Sequence, residues 1–380
     1  MPESKLPDPM LVTRPAQLRQ AADKLLKESI VAVDTESNSL YAYYERVCLI
    51  QFSTLQTDYL IDPLALADLS PLAPLFTDPA IEKVFHAAEY DVICLKRDYG
   101  FEFNHIFDTM VAARILGREA VGLGSILEAE FGVRLDKRYQ RANWGQRPLP
   151  AHLLAYARLD THYLIPLRDR LLEALKKKEL WPLAQEDFER VRLVNGHTAE
   201  EPPPNCWRIR GANDLSSQQA AVLQELCGYR ERIARSLDRP VFKVINDQTL
   251  LDIAIRLPRN LTELSRIQGM NDGQLHRHGA RILEAVERGQ NSVPIYPPRN
   301  QKPAEAYLER LEALRKWRKR VGEQMGVNSD IILPRELMLA LAERDPRTAE
   351  ELAEVLAAAP WRRERYGEQI LEVIRRSDEG

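Results

Sequence analysis

An α/β domain followed by two copies of a small all-α unit is the architecture this sequence predicts, and three observations carry it. A β-branched apolar run, Ile30-Val31-Ala32-Val33, ends in two carboxylates, Asp34 and Glu36. Strand-like and helix-like segments then alternate across the first half of the chain. Beyond a Pro-rich stretch the chain turns helical and repeats itself at an offset of 88 residues.

Composition narrows the class. At 380 residues the chain should hold roughly two to three domains. With 44% apolar and 29% charged residues it reads as an ordinary soluble protein with enough mass for real cores. No run approaches the ~18 apolar residues of a membrane span, and the first residues lack a signal-peptide pattern, so no membrane is expected and the cytosol fits. A net charge of −3 argues against a general polyanion binder, so a nucleic acid must be gripped by local patches. Cys48, Cys94, Cys206 and Cys227 show no C-x-x-C spacing and read as buried free thiols rather than zinc ligands or disulfides.

The elements follow from pattern. Residues 15–28 form an amphipathic helix leading into the strand at 30–36, which is apolar enough to be buried on both faces. Residues 37–45, rich in Ser, Asn and Tyr, read as a turn. Strands follow at 46–53 and 58–62, then a helix at 64–76 and a strand at 82–86. A helix at 87–99 stops at Gly100. Residues 104–116 start as a short strand and turn helical, and a helix at 123–131 stops at Gly132. Residues 135–149 form an irregular basic segment, and 150–178 give the strongest helical signal of this half. Residues 195–211, with Glu-Pro-Pro-Pro-Asn inside, are a linker by composition. In the repeat that follows, Tyr229 pairs with Trp317, Pro258 with Pro346, Leu264 with Leu352, Gly279 with Gly367 and Ile282 with Ile370. The domain limits read from this are 1–195, a linker at 196–213, repeats at 214–292 and 305–380, and a second Pro-rich linker at 293–304.

Chemistry concentrates in a few residues. Side chains alternate across a strand, so Asp34 and Glu36 share a face and converge. Two anions so placed repel unless a cation lies between them, and carboxylate oxygens suit a hard divalent ion such as Mg²⁺. Asp91 sits near the start of the 87–99 helix. Tyr156 and Asp160 lie four apart, on one helical face. His86 and His162 lack metal-ligand spacing and read as packing or hydrogen-bonding groups.

Asp34-Thr-Glu36, Asp91 and Tyr156-Ala-Arg-Leu-Asp160 resemble the three motifs of the DEDD 3′→5′ exonucleases, tyrosine subclass; the position five before Asp160, a histidine in the sister subclass, is Ala155. The chain is similar to bacterial ribonuclease D proteins throughout. Val47-Cys-Leu-Ile-Gln51, Phe107-Asp-Thr-Met110, Asp136-Lys137, Trp144-x-x-Arg147-Pro-Leu149 and Asp160-x-His-Tyr-Leu-x-Pro-Leu167 match in order. The duplicated unit resembles the HRDC module. The family pattern differs at Ala142-Asn143, usually Ser-Asp, and at Ser37, where an aromatic is common.

The resemblance implies a ribonuclease H-like exonuclease domain with a mixed sheet, followed by two small all-α HRDC domains arranged as substrate arms. It implies removal of 5′-mononucleotides from RNA 3′ ends, with tRNA precursors as substrate, by two divalent metal ions (Mg²⁺ or Mn²⁺). Asp34 would bridge both metals, Glu36 and Asp160 would complete the first metal's shell, and Asp91 would act on the second. Tyr156, too weak an acid to serve as a base at neutral pH, would orient the attacking water. A single-stranded 3′ end needs stacking and phosphate contacts. Lys137, Arg138, Arg141, Trp144 and Arg147 are first candidates, and Tyr41, Tyr43 and Tyr44 second. Arg315, Lys316 and Lys319, with the basic run at 361–365, form a further candidate surface. A monomer is expected. The rival readings are a DNA 3′→5′ exonuclease and a non-catalytic RNA-binding adaptor.

Overall fold

The computed structural model describes residues 6–195, 206–297 and 303–377. Of the two expected linkers, 196–205 and 298–302 lie outside the described residues, and Cys206–Arg208 and Ala212–Asp214 form short 3-10 turns. The chain divides into two compact units. One comprises Met1–Ser37, Val47–His197 and Pro303–Gly380; the other comprises Asn38–Arg46 and Thr198–Lys302.

The first unit is built on a six-stranded mixed sheet, β1 (Met10–Val12), β2 (Ile30–Ser37), β3 (Val47–Ser53), β4 (Asp58–Ile61), β5 (Glu82–Phe85) and β6 (Ile106–Asp108). Its order is β1-β4-β3-β2-β5-β6. β2 runs antiparallel to β3 and parallel to β5, so the strand bearing Asp34 and Glu36 is central. Val31 and Val33 enter the core on one side of the sheet and Ala32 the core on the other, as an apolar strand with two-residue periodicity requires.

Helices cover the sheet: α1 (Pro15–Leu25), α2 (Ala73–Thr77), α3 (Glu89–Tyr99), α4 (Thr109–Ile115), α5 (Leu123–Phe131), α6 (Ala151–Ala157), α7 (Leu159–His162), α8 (Leu164–Lys177) and α9 (Trp181–Arg192). Gly100 and Gly132, both left-handed, stop α3 and α5. Two expected helices are broken. Within 64–76 only a 3-10 turn at Ser70–Leu72 and the start of α2 are helical, because Pro71 and Pro74 restrict helix to starts at their own positions. The stretch 150–178 divides into α6, α7 and α8. Pro166 has no amide to donate to His162 and its ring crowds that carbonyl, so the chain restarts at Leu164.

The second unit holds the first repeat: α10 (Ser217–Leu237), α11 (Val241–Val244), α12 (Asp247–Arg256), α13 (Leu261–Ser265) and α14 (Asp272–Asn291). The segment Asn38–Arg46, which leaves β2, packs on it. The Tyr43 and Tyr44 amides both donate to Asp238 Oδ1 at 3.0 Å, and the Tyr43 hydroxyl bonds Glu231. Lys243 Nζ lies 4.0 Å from the Tyr41 ring centre. Tyr41 and Tyr43 are thus parts of this packing rather than free stacking surfaces; Tyr44 remains exposed. Cys206 and Cys227 pair with each other, against the expectation of free thiols, while Cys48 and Cys94 are buried and lie outside that pair.

The second repeat, α15 (Glu305–Met325), α16 (Ser329–Ile332), α17 (Arg335–Arg344), α18 (Ala349–Val355) and α19 (Pro360–Arg376), repeats these details. The buried Tyr229–His278 ring pair has its counterpart, 88 residues on, in Trp317–Tyr366. Leu257 and Asp345 both end their helices at φ 50°. Gly279 and Gly367 admit Leu264 and Leu352, whose methyls come within 4 Å of where a Cβ would stand.

This repeat belongs to the first unit and is joined to α9 through a buried charge cluster. Arg362 is fully buried. It donates to Glu186 at 2.5 Å, to Asp187 at 2.8 and 3.0 Å, and to the carbonyls of Ile331 and Ile332 at 2.7 and 3.1 Å. All five guanidinium N–H groups are engaged. Glu186 also accepts the Trp361 and Arg362 amides, capping α19 from outside its own chain segment. The basic run at 361–365 is therefore not a wholly solvated face, for its Arg362 is core.

Candidate active site

Asp34, Glu36 and Asp160 bring one carboxylate oxygen each within 4.8 Å of one another. β2 supplies the first two on one face, and α7 brings the third across β3. α7 is held there by a hydrogen-bond network. Ser53 Oγ donates to Asp58 and accepts from Thr161 Oγ1, both at 2.7 Å, and His162 Nδ1 lies 3.0 Å from Asp58. His162 is thus a hydrogen-bonding group, as its spacing suggested.

Asp91 arrives from the first turn of α3 and is tied to the same strand, where Thr35 Oγ1 donates to its Oδ1 at 2.5 Å. The turn that delivers it is strained, since Ala87 sits at φ 66°. Asp108, at the end of β6, holds that turn. Its carboxylate accepts the Ala87 and Ala88 amides at 3.0 and 2.7 Å, and also caps α4 through the Met110 and Val111 amides.

These acids act on each other. Burial, then repulsion from Asp91, Asp160 and Glu36, holds the Asp34 carboxyl well above its usual range. Burial and the same neighbours raise Glu36. Burial lifts Asp91 to about 7, against hydrogen bonds from Thr35, and burial with Asp91 beside it lifts Asp160 to about 8. Tyr156, at the end of α6, is raised by burial and by the negative charge of Asp160, Glu36 and Asp34, so its phenol stays protonated. The four acids and Tyr156 assemble from elements up to 126 positions apart in sequence.

The basic segment before α6 behaves differently from its sequence reading. Trp144 is buried and stacks toward Tyr156, ring centres 6.3 Å apart, so it walls the site from within. Arg147 spends all five donors on Asp62 and on the carbonyls of Cys48, Trp144 and Gln146, each at 2.7 Å. Lys137 and Arg141 are exposed, and Arg138 pairs with Asp136. Arg315, Lys316 and Lys319 are exposed on α15, with only long contacts of 3.9–4.0 Å to Glu312 and Glu323.

Gln51 was missed. It stands opposite Asp34 in the β2–β3 register, fully buried, and its Nε2 donates to Asp34 Oδ2 at 3.3 Å. A lone amide in an otherwise apolar strand was the available signal, because a buried amide needs a partner.

The fold and these motifs define a 3′→5′ exonuclease carrying two HRDC domains. The 3′-5′ exonuclease family model matches residues 9–176, and the HRDC model matches 219–286 and 308–374. The chain is 30% identical over 370 residues to ribonuclease D of Pseudomonas paraeruginosa, covering 94% of this chain and 96% of that one. It is similar to the structure of Escherichia coli RNase D, described as an exoribonuclease involved in structured RNA processing, with a TM-score of 0.72, 27% identity and coverage of 97% and 99%. The catalytic core of RRP6 from Trypanosoma brucei matches at a TM-score of 0.68 and 29% identity, over 77% of this chain and 82% of that one. The chain belongs to the ribonuclease D family, and with that membership it is a hydrolytic 3′→5′ exoribonuclease. Among the described residues no helix is long and apolar enough to cross a membrane.

Proposed function

We propose that Asp34, Glu36, Asp91 and Asp160 hold two divalent cations with which the chain removes 5′-mononucleotides from RNA 3′ ends, tRNA precursors among them. The observation that carries this reading is the convergence of three carboxylate oxygens within 4.8 Å, each raising the proton affinity of its neighbours. Hard oxygen donors crowded at one point suit Mg²⁺ or Mn²⁺. Bound there, such ions lower the free energy of deprotonated water, of the anionic pentavalent phosphorus and of the leaving 3′-oxygen.

The protein's own residues bind and orient. Asp34, central in the cluster and steadied by Gln51, is the ligand both ions would share. Glu36 and Asp160 would help hold one ion, and Asp91, steered by Thr35, would help hold the other. Tyr156 keeps its proton across the working pH range, so it donates a hydrogen bond and aims the attacking water; it is not a base. Tyr156→Phe should therefore lower kcat by about 10–100-fold while divalent-ion affinity, measured by calorimetric titration, stays within about twofold. An equal fall in affinity would make Tyr156 part of the cation site instead. Exposed Lys137 and Arg141, and Arg315, Lys316 and Lys319 on the second HRDC domain, would meet RNA phosphates, and the enzyme acts as a monomer.

Release of mononucleotides from a 3′-extended tRNA, against matched RNA and DNA oligonucleotides in Mg²⁺ and in Mn²⁺, tests the reading. Stepwise shortening of the RNA supports it. Preference for the DNA strand would turn the substrate assignment to DNA.

A further inference from the structure

We propose that Asp108 is a positioning residue: it fixes the turn between β5 and α3 so that Asp91 faces the other acids, and through Asp91 it sets how tightly one of the two cations is held. The inference rests on the nuclease reading above and names what places one of its four carboxylates.

Asp91 reaches the site through a turn that has to be held. β5 ends at Phe85, the chain bends over His86 to Ala88, and Asp91 follows in the first turn of α3. Ala87 makes the bend at φ 66°, in the left-handed region that a residue with a Cβ rarely occupies. Such a conformation persists only where its surroundings impose it. Relaxed to negative φ, the bend would carry the first turn of α3 away with it.

The end of β6 imposes it. Asp108 stands beside Phe85 in the parallel β5–β6 register and is 1% exposed. Its Oδ1 accepts the Ala87 amide at 3.0 Å and its Oδ2 the Ala88 amide at 2.7 Å. Thr109 adds two more ties. Its Oγ1 donates to the Phe85 carbonyl at 2.9 Å and, with its one proton so committed, accepts from His86 Nδ1 at 2.9 Å. Every residue from Phe85 to Ala88 is thus bonded to Asp108 or Thr109.

Capping of α4 does not account for this arrangement. The cap uses Oδ1 alone, through the Met110 and Val111 amides, and a serine, threonine or asparagine would serve it. Only a carboxylate adds a second acceptor oxygen for the Ala88 amide; an asparagine would turn N–H toward N–H there. The effect is selective because Asp34 and Glu36 lie on β2 and Asp160 on α7, so none of them hangs from this turn. Thr35 aims the Asp91 carboxylate once the helix is in place; Asp108 places the helix.

The test titrates the full-length chain with Mn²⁺ by calorimetry, without RNA, in the wild type, Asp108→Asn, Ala87→Gly and the double variant. The wild type should take up two ions in separable steps. Asp108→Asn should weaken one step by about 10–100-fold and leave the other within about twofold. Its kcat should fall in parallel, with KM for RNA unchanged. Glycine adopts positive φ without strain, so Ala87→Gly should match the wild type and, added to Asp108→Asn, restore most of the lost affinity. An aspartate that merely stabilised the fold would lower the melting temperature and leave both steps alone. Amide exchange of the wild type in EDTA should show Ala87 and Ala88 protected, and free exchange there would overturn the proposal whether or not Asp108→Asn folds. Equal weakening of both steps, no weakening, or uptake of a single ion by the wild type would overturn it too. A wild type that binds both ions yet shortens no RNA would remove the nuclease reading, while the titration still decides whether Asp108 sets the cation site.

Discussion

Asp34→Asn is expected to raise the melting temperature of the metal-free protein by about 2–4 °C while lowering RNA hydrolysis at least ~10³-fold. The two effects have one cause. Asp34 is buried among three other acids, and each raises the proton affinity of its neighbours. Replacing its ionisable oxygen by an amide removes repulsion worth roughly 1 kcal/mol or more and, on the proposed function, removes a ligand to the divalent cations. The sign of the pH effect follows. Asp91 and Asp160 have folded values of about 7 and about 8, above the ordinary aspartate value of 3.8. Between about pH 4 and pH 8 the folded chain therefore binds more protons than the unfolded one, and stability falls as pH rises through that window. Scanning calorimetry in EDTA should show the wild type melting lower at pH 8 than at pH 5, with a smaller drop in Asp34→Asn. Added Mg²⁺ should restore the wild type at pH 8, because a ligand that binds only the folded state stabilises it. A variant that melts lower than wild type in EDTA at pH 8 would mean that the acids are not in mutual conflict.

Arg362→Met should destabilise the unit that joins the exonuclease domain to the second HRDC domain by about 3–5 kcal/mol. The methionine fills much of the volume, so packing loss is small. What it leaves behind is Glu186 and Asp187, buried at 6% and 8% exposure, with Arg190 the other cation paired with Asp187 among the described residues. It also frees the carbonyls of Ile331 and Ile332 from their donors. An isolated buried carboxylate is far more unfavourable than the pair it came from. Hydrogen exchange read at α9 and α19 is the suitable measurement, because a chain of two units need not unfold in one step. Loss of protection confined to those two helices, with the sheet unaffected, is the expected pattern. A change under about 1 kcal/mol would show that water reaches the cluster and that the ion pairs behave as surface ones.

The parts of this molecule that sequence makes legible are those where local pattern and global role coincide. β2 declares itself because a strand buried on both faces must be apolar throughout, so Asp34 and Glu36 at its end stand out. The duplication is legible because Pro258 and Pro346, Leu264 and Leu352, Gly279 and Gly367, and Ile282 and Ile370 recur at one offset. Trp144 and Arg147, read as candidates to contact RNA, also take part in packing that the sequence does not announce. An aromatic amid cations looks the same in sequence whether it lies on RNA or plugs a core, and only Asp62 and the Cys48 carbonyl, 85 and 99 positions away, decide the matter. Cys206 and Cys227, 21 apart, are likewise joined by folding that no local spacing announces. Asp108 and Thr35 were absent from the site for the same cause, since their partners come from other elements. Pro166 was visible, yet a strong run of leucines outweighed it.

Anomalous scattering from crystals grown in Mn²⁺ addresses the acidic site most directly. A peak bounded by the carboxylates of Asp34, Glu36 and Asp160 is expected, at a Mn²⁺ concentration in which the same preparation digests RNA from its 3′ end. Active protein whose only manganese lies elsewhere, with those three carboxylates bare, would contradict it.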